Sequence, residues 1–302
     1  MGIKHLNKYL LRNCRNSVKN IYFSELKNKK ISIDISIYLY QFERNGNLID
    51  GINSMINIFK IHNIIPVFIF DGKPPDEKKN ILQERRKQKN KNREKIEQLT
   101  IMMESNPSQD KNIILSTIER LRQQCISITR EKIEQVKNII RLNGFTYYDA
   151  PQEADELCSI LATRGQVWAC MSEDMDMFVY GCPRIIRYFN IRKPTVKLYI
   201  FNTILSELNI SSNNFKQICI LSGTDYNSQN NKYNLSYSIN LFNQYQNEEI
   251  EQIYKPFGFI EWIIININPE LNYELLNKIY YMFDLSDKLM QFKNILIMNS
   301  HK

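Results

Sequence analysis

The run Met171-Ser172-Glu173-Asp174-Met175-Asp176 sets three acids directly behind the apolar stretch Val167-Trp168-Ala169-Cys170, with no lysine or arginine among them. Carboxylates clustered at the end of a buried strand must be neutralised by a cation, by protonation or by water. Magnesium is the cation that prefers oxygen ligands of this kind. Alone, the same acids could simply open a solvated loop or a helix's first turn, where negative charge favours the dipole. But the pattern repeats. The β-branched run Lys30-Ile31-Ser32-Ile33 ends at Asp34, and the apolar run from Ile64 to Phe70 ends at Asp71.

The elements that must position these acids alternate. A short helix over Leu6 to Leu11 precedes the Asp34 strand, a helix from about Ile52 to Ile61 follows it, and the Asp71 strand comes next. Thr129 caps a helix that stops at Gly144. A strand Phe145 to Tyr148 leads to Pro151, which opens a helix whose first turn carries Glu153, Asp155 and Glu156. After the acid cluster come strands at Arg184 to Phe189 and Lys197 to Phe201, then a helix Asn213 to Leu221 that delivers Gly223-Thr224-Asp225-Tyr226. Strand-helix-strand alternation predicts an α/β fold around a mostly parallel sheet flanked by helices. In such a sheet the carboxyl ends of the strands share one edge, so Asp34, Asp71 and Asp174 can meet in one cleft. Glu153, Asp155 and Asp225 can join them, although acids in a first turn are ordinary and residues two apart point to different sides. Six or seven carboxylates in one place repel unless they hold divalent ions, and two magnesium ions about 4 Å apart are the arrangement for phosphodiester cleavage.

Between the Asp71 strand and Thr129 the composition changes. From Asp76 to Lys95 the chain carries Lys78, Lys79, Arg85, Arg86, Lys87, Lys89, Lys91, Arg93 and Lys95 with few apolar residues. The polar loop Glu104 to Asp110 separates this stretch from an amphipathic helix near Ile113 to Gln124. Together they predict a basic helical arch over about 76–128 that projects into solvent.

The wider composition is consistent with this. In 302 residues with 43% hydrophobic content there is ample material for a core, and the net charge of +8 favours a polyanionic partner, nucleic acid before membrane. Six dispersed cysteines without a C-x-x-C pair argue against a zinc module or a disulfide framework, and three histidines argue against histidine-based triads. The first residues lack the apolar run of a signal peptide and no stretch is long and apolar enough to span a membrane. A soluble intracellular protein, nuclear or cytoplasmic, is expected.

Six strings in order resemble the flap endonuclease family of structure-specific 5′ nucleases: M-G-I-K-x-L at the start, I-D-I-S around Asp34, F-D-G-K-P-P after Phe70, A-P-Q-E-A-D around Glu153, S-E-D-M-D around Asp174 and L-S-G-T-D-Y ending at Tyr226. The richness in Ile, Asn and Lys suggests an AT-biased genome and a divergent or viral member. The resemblance implies divalent-metal-dependent hydrolysis of DNA bearing a 5′ flap, nick or branch, with two Mg²⁺ ions for which Mn²⁺ can substitute. It implies that Asp34, Asp71, Glu153 and Asp155 surround one ion and Asp174, Asp176 and Asp225 the second. Asp155 departs from the family's usual glutamate. Lys78 and Arg85 match the arch's basic pair that steers and stabilises the scissile phosphate; seven residues apart, they would share a helix face, with Lys89 one turn beyond. Tyr40 matches an aromatic that stacks on a base, although core packing beside Tyr38 is an equal reading, and Gly2 matches an N-terminal residue close to the DNA junction. Arg86 and Lys89 are read as electrostatic contacts.

Beyond Tyr226 the resemblance weakens. The segment 227–237 lacks glycine where the family has a glycine-containing helix-two-turn-helix that grips duplex DNA and a monovalent cation. Grip by side chains such as Lys232 is expected instead. The division implied is a nuclease core over 1–226 and a degenerate helix-two-turn-helix with a C-terminal helical region over 227–302. No sliding-clamp motif starts at Gln252 or Gln291, and a monomer is expected. The alternatives are a 5′ to 3′ exonuclease on DNA or RNA, and a catalytically silent DNA-junction binder, which would have lost acids that are all present here.

Overall fold

The structure, a computed structural model, describes residues 2–105, 111–227, 232–250, 258–289 and 300–301. Among the described residues eight strands form one sheet: β1 (Val18–Tyr22), β2 (Lys30–Asp34), β3 (Ile65–Phe70), β4 (Thr146–Asp149), β5 (Ala169–Met171), β6 (Arg184–Arg187), β7 (Thr195–Ile200) and β8 (Ser300–His301). Their order is β1-β7-β6-β5-β2-β3-β4-β8. The five central strands, β6-β5-β2-β3-β4, are mutually parallel, while β7, β1 and β8 add antiparallel edges. The mostly parallel α/β sheet expected from the sequence is therefore present.

The helices are α1 (Leu6–Asn13), α2 (Ile35–Arg44), α3 (Leu48–Ile61), α4 (Lys79–Ser105), α5 (Lys111–Cys125), α6 (Arg130–Leu142), α7 (Ala154–Thr163), α8 (Asp176–Val179), α9 (Phe201–Leu208), α10 (Ser212–Ser222), α11 (Leu235–Ile250), α12 (Phe259–Asn266) and α13 (Tyr273–Met282). Two apolar layers cover the sheet, as its alternating side chains require. Ile31, Ile33, Phe68, Phe70, Ala169 and Met171 face the layer with α2, α3 and α6. Val67, Ile69, Cys170 and Ile185 face the layer that contains α1 and α7 to α13. Among the described residues no helix is long and apolar enough to cross a membrane.

Several local readings need correction. The helix expected to open at Pro151 begins at Ala154, with Glu153 as its extended N-cap (φ −95°, ψ 146°). Lys78 is not on the arch helix with Arg85: Pro74-Pro75 prevents helix there, a 3₁₀ turn spans Asp76–Lys78, and α4 starts at Lys79. Helix α2 and strand β1 were not anticipated; α2 follows Asp34 without any loop, so no turn signal marks it. The segment 228–231, Gln252 and Gln291 lie outside the described residues.

The arch is a helical pair. Asn92 Nδ2 donates to Gln124 Oε1 (3.0 Å) and Lys89 Nζ to the Ile126 carbonyl (2.7 Å), with Ile118 and Leu121 buried between.

The chain turns from β3 toward the arch at Gly72, whose N–H donates to the Gln152 carbonyl at 2.6 Å. A Cβ there would stand 1.9 Å from the Ala150 carbonyl oxygen, a backbone atom that cannot swing aside. Gly72→Ala should therefore reduce unfolding free energy by about 2 kcal/mol or more, as overpacking against fixed atoms does. Chemical denaturation of both proteins would measure it.

Candidate active site

The sheet order reverses between β2 and β5: from β2 the chain proceeds outward through β3 and β4, then returns to place β5 on β2's other side. Open parallel sheets leave a crevice at such a point. Asp34 ends β2 and Asp174 lies just past β5, so both flank it.

Asp155, Asp174 and Asp176 bring carboxylate oxygens within 4.8 Å of one another. Asp155, expected beside Asp34, Asp71 and Glu153, has Glu153 as its strongest charged neighbour and also reaches the pair after β5. The concern that Glu153 and Asp155 would point apart does not apply. Glu153 is extended rather than helical, so the helical rotation between the two is absent.

Hydrogen bonds tie the acids to the backbone and to one another. Asp34, 5% exposed, accepts a hydrogen bond from Ser172 Oγ (2.9 Å), and the same hydroxyl accepts from the Asp174 N–H (3.1 Å). Asp71 Oδ1 accepts from the Ala154 N–H (2.9 Å), capping α7 from outside. Asp155 Oδ1 accepts from the Glu156 N–H (2.7 Å), and Asp174 Oδ1 from the Asp176 N–H (3.1 Å). Asp176, 2% exposed, has an Oδ1 that is buried and accepts no hydrogen bond.

Burial, then the neighbouring charges, pushes three of these carboxyls well above the usual range: Asp34 beside Asp71, Asp155 beside Glu153 and Asp174, Asp176 beside Asp174. An orphaned buried oxygen inside an all-oxygen cluster of negative charge fits a hard divalent cation. Asp155, Asp174 and Asp176 can hold one, with Asp34, Asp71, Glu153 and Asp225 around them.

Two arch cations reach into the cleft. Lys78 Nζ pairs with Glu153 Oε1 at 2.6 Å and lies 5.1 Å from the Tyr226 ring centroid. Burial alone would lower its pKa, but Glu153 and Asp155 outweigh that and raise it. Arg85 pairs with Asp225 Oδ2 at 2.8 Å. Thus the two basic residues singled out by the family resemblance contact the acids although they lie on different elements.

Gly2 comes to the same place. With φ +72°, it leaves room for nothing larger: a Cβ would stand 2.4 Å from Asp176 Oδ1 and 2.5 Å from Asp174 Oδ1. Tyr40 is 41% exposed while Tyr38 is fully buried, so core packing holds Tyr38 and not Tyr40; Lys89 Nζ lies 6.0 Å from the Tyr40 ring centroid. Arg86 is exposed on α4. Lys232 is exposed with its Nζ 5.8 Å from the Tyr233 ring centroid, and among the described residues no acid of the cleft pairs with it.

Sequence reasoning overlooked Ser172 and Tyr226. Ser172 bridges two acids, and Tyr226 OH donates to Glu153 Oε2 at 2.9 Å. Both lie inside motifs already quoted; the available signal was adjacency to an acid.

Residues 1–92 match the XPG N-terminal domain and residues 144–225 the XPG I-region. Flap endonuclease 1 of Glycine max is 33% identical over 246 residues, covering 75% of this chain and 62% of the relative. Flap endonuclease 1 of Cryptosporidium parvum is 28% identical over 333 aligned positions, covering 100% of this chain and 62% of the relative. The chain thus spans about three fifths of these relatives' length. The catalytic core of Rad2 in complex with DNA substrate superposes with a TM-score of 0.63 at 20% identity, covering 90% of this chain and 85% of that one. Flap endonuclease-1 from Methanococcus jannaschii gives 0.58 at 24% identity, covering 94% and 91%. At these identities the two structures establish the fold.

The raised carboxyl pKa values make a stability prediction for the metal-free protein. An acid whose folded pKa lies above its unfolded value of about 3.9 destabilises the fold once pH exceeds that value, and the penalty vanishes below it. Asp176→Asn should therefore raise the melting temperature at pH 7 by about 2–6 °C, with the gain disappearing near pH 4. Thermal melts of both proteins in chelator across that range would test it.

Proposed function

The chain belongs to the XPG family, and from that membership we propose that it is a divalent-metal-dependent, structure-specific 5′ nuclease acting on DNA with a 5′ flap, nick or branch. The observation that carries this reading is the convergence of acids from separate elements on one crevice, with Lys78 and Arg85 of the arch paired to two of them. The curated relatives are flap endonucleases, which supports the substrate class.

In this reading residues 1–226 form the catalytic core, 76–128 its arch, and 227–302 the side that meets duplex. Asp155, Asp174 and Asp176 hold one Mg²⁺ or Mn²⁺ ion, and Asp34, Asp71, Glu153 and Asp225 complete a two-ion site. When bound, such ions activate water and neutralise charge on the cleaved phosphate. The chain's own contribution is positioning. Ser172 fixes Asp34 relative to Asp174, Asp71 and the α7 N-terminus fix each other, and Gly2 allows the N-terminal segment against the acid pair.

Lys78 and Arg85 supply positive charge where the phosphate's charge develops. The exposed bases Arg86, Lys87, Lys91, Arg93 and Lys95 attract the strand without reading it. Tyr40 offers a ring face on which an unpaired base can stack.

The reading is tested with end-labelled flap, nicked, blunt and single-stranded substrates, with and without magnesium. One product at the branch, present only with metal, is expected; a ladder from every substrate would assign a 5′ to 3′ exonuclease instead. Asp174→Asn should abolish cleavage yet leave flap binding nearly intact, because it removes a metal ligand and makes the cleft less negative. Arg85→Ala should slow single-turnover cleavage about a hundredfold while weakening flap affinity far less, since it is one phosphate contact among many. Gel-shift titrations beside quench-flow rates separate the two effects.

A further inference from the structure

Away from the acidic cleft, a cavity of about 230 Å³ lies where α10, α12 and α13 meet. Asn213, Gln217, Glu261, Tyr273, Asn277 and Tyr281 supply its polar and aromatic wall, and Ile220, Ile260 and Leu276 its apolar floor. On α10 the lining residues are spaced by four and three, and on α13 by three and four, so each helix turns one face to the same space.

Three features of this wall indicate what it would hold. Gln217 Oε1 is buried and accepts no hydrogen bond, while its Nε2 donates to Asn213 Oδ1 at 3.5 Å. A buried acceptor left without a donor is costly, so an occupant carrying N–H groups is favoured. Glu261 is the one ionised side chain in the lining. Tyr273 OH donates to its Oε1 at 2.8 Å, and no cation pairs with it among the described residues. Finally, Tyr273 and Tyr281 stand 39% and 63% exposed at the mouth, offering ring faces.

A carboxylate, a bare amide oxygen and tyrosine faces all attract positive N–H donors and disfavour phosphate. In a chain of net charge +8 this cavity is unsuited to a nucleic-acid backbone. A neutral base would fill the volume but leave the Glu261 charge desolvated without compensation.

We propose that the cavity binds an organic cation: a primary ammonium or guanidinium group on an aliphatic stem, carried by a polyamine or by a lysine or arginine of a partner. Glu261 and Gln217 accept its N–H bonds, the tyrosine rings contribute cation–π attraction, and the stem lies on the aliphatic floor. The site shares no residue with the nuclease machinery. Helix α13 also carries Lys278, whose Nζ pairs with Glu77 Oε1 at 3.1 Å at the foot of the arch, next to Lys78.

The test is calorimetric titration of the DNA-free, metal-stripped chain with spermidine and with a short arginine-containing peptide, each beside a counterpart lacking the charge, N-acetylated or with citrulline. Saturable binding at about millimolar Kd or tighter is expected for the charged probes. It should weaken at least about tenfold in Glu261→Gln and in Tyr281→Ala, and persist in Asp174→Asn. Affinity that falls with Asp174→Asn but not with Glu261→Gln would put the cation in the acidic cleft and overturn the proposal. So would equal binding of the uncharged counterparts, or no saturable binding at all. The tighter of the two probes identifies the source of the cation.

Discussion

Crowding of carboxylates at one edge of a parallel sheet is the constraint on which the rest of this structure depends. Asp34, Asp155 and Asp176 are buried beside other acids, and each is pushed toward its neutral form by that burial. Such groups stay together only if the surrounding fold over-determines their positions. Here the paired backbones of β2, β3 and β5 fix where the acids emerge, and apolar layers on both faces hold those strands. Neutralisation then comes from local partners: the Ser172 hydroxyl, backbone N–H groups, and the arch cations.

The acid loop after β5 is braced from below as well. Arg187, 6% exposed, donates to the Glu173 carbonyl (2.9 Å) and to Asn7 Oδ1 (2.7 Å), so β6, the acid loop and α1 share one side chain. Because α1 follows directly on the segment that contains Gly2, the same brace locates the glycine against Asp174 and Asp176. Tyr188, beside Arg187, takes a left-handed backbone conformation (φ 62°) and its N–H is held by the Glu173 carboxylate. Backbone strain is thus stored immediately next to the acids, where the packing around Arg187 can sustain it.

The arch is built differently from the core. Helix α4 is polar along most of its length, and the pair is joined by a short list of buried apolar residues and side-chain hydrogen bonds. Its anchorage to the body is mainly ionic: Lys78 to Glu153, Arg85 to Asp225, and Glu77 to Lys278. The first of these is largely shielded from water and the last is well exposed, so they differ in how strongly salt screens them. A phosphate entering the cleft must compete with Glu153 and Asp225 for the two arch cations.

The sequence by itself determined the strands that end in acids, the basic arch and the nuclease-like order of motifs. These are local signals: an apolar run of strand length, a terminal carboxylate, an abrupt change of charge. It also identified Lys78 and Arg85 through their match to the family's arch pair, although the shared helix face expected of them is absent, since Pro74-Pro75 puts Lys78 in a separate turn. Only the tertiary structure decided which acids are neighbours. Asp155 joins Asp174 and Asp176 because the sheet places β5 against β2 and turns α7 toward both, a long-range pairing that no spacing along the chain encodes. The same holds for Gly2 against Asp176, Ser172 against Asp34 and Tyr226 against Glu153, pairs separated by 73 to more than a hundred residues. Side-chain chemistry is written residue by residue, whereas the distances that turn it into a site are set by strand order and packing.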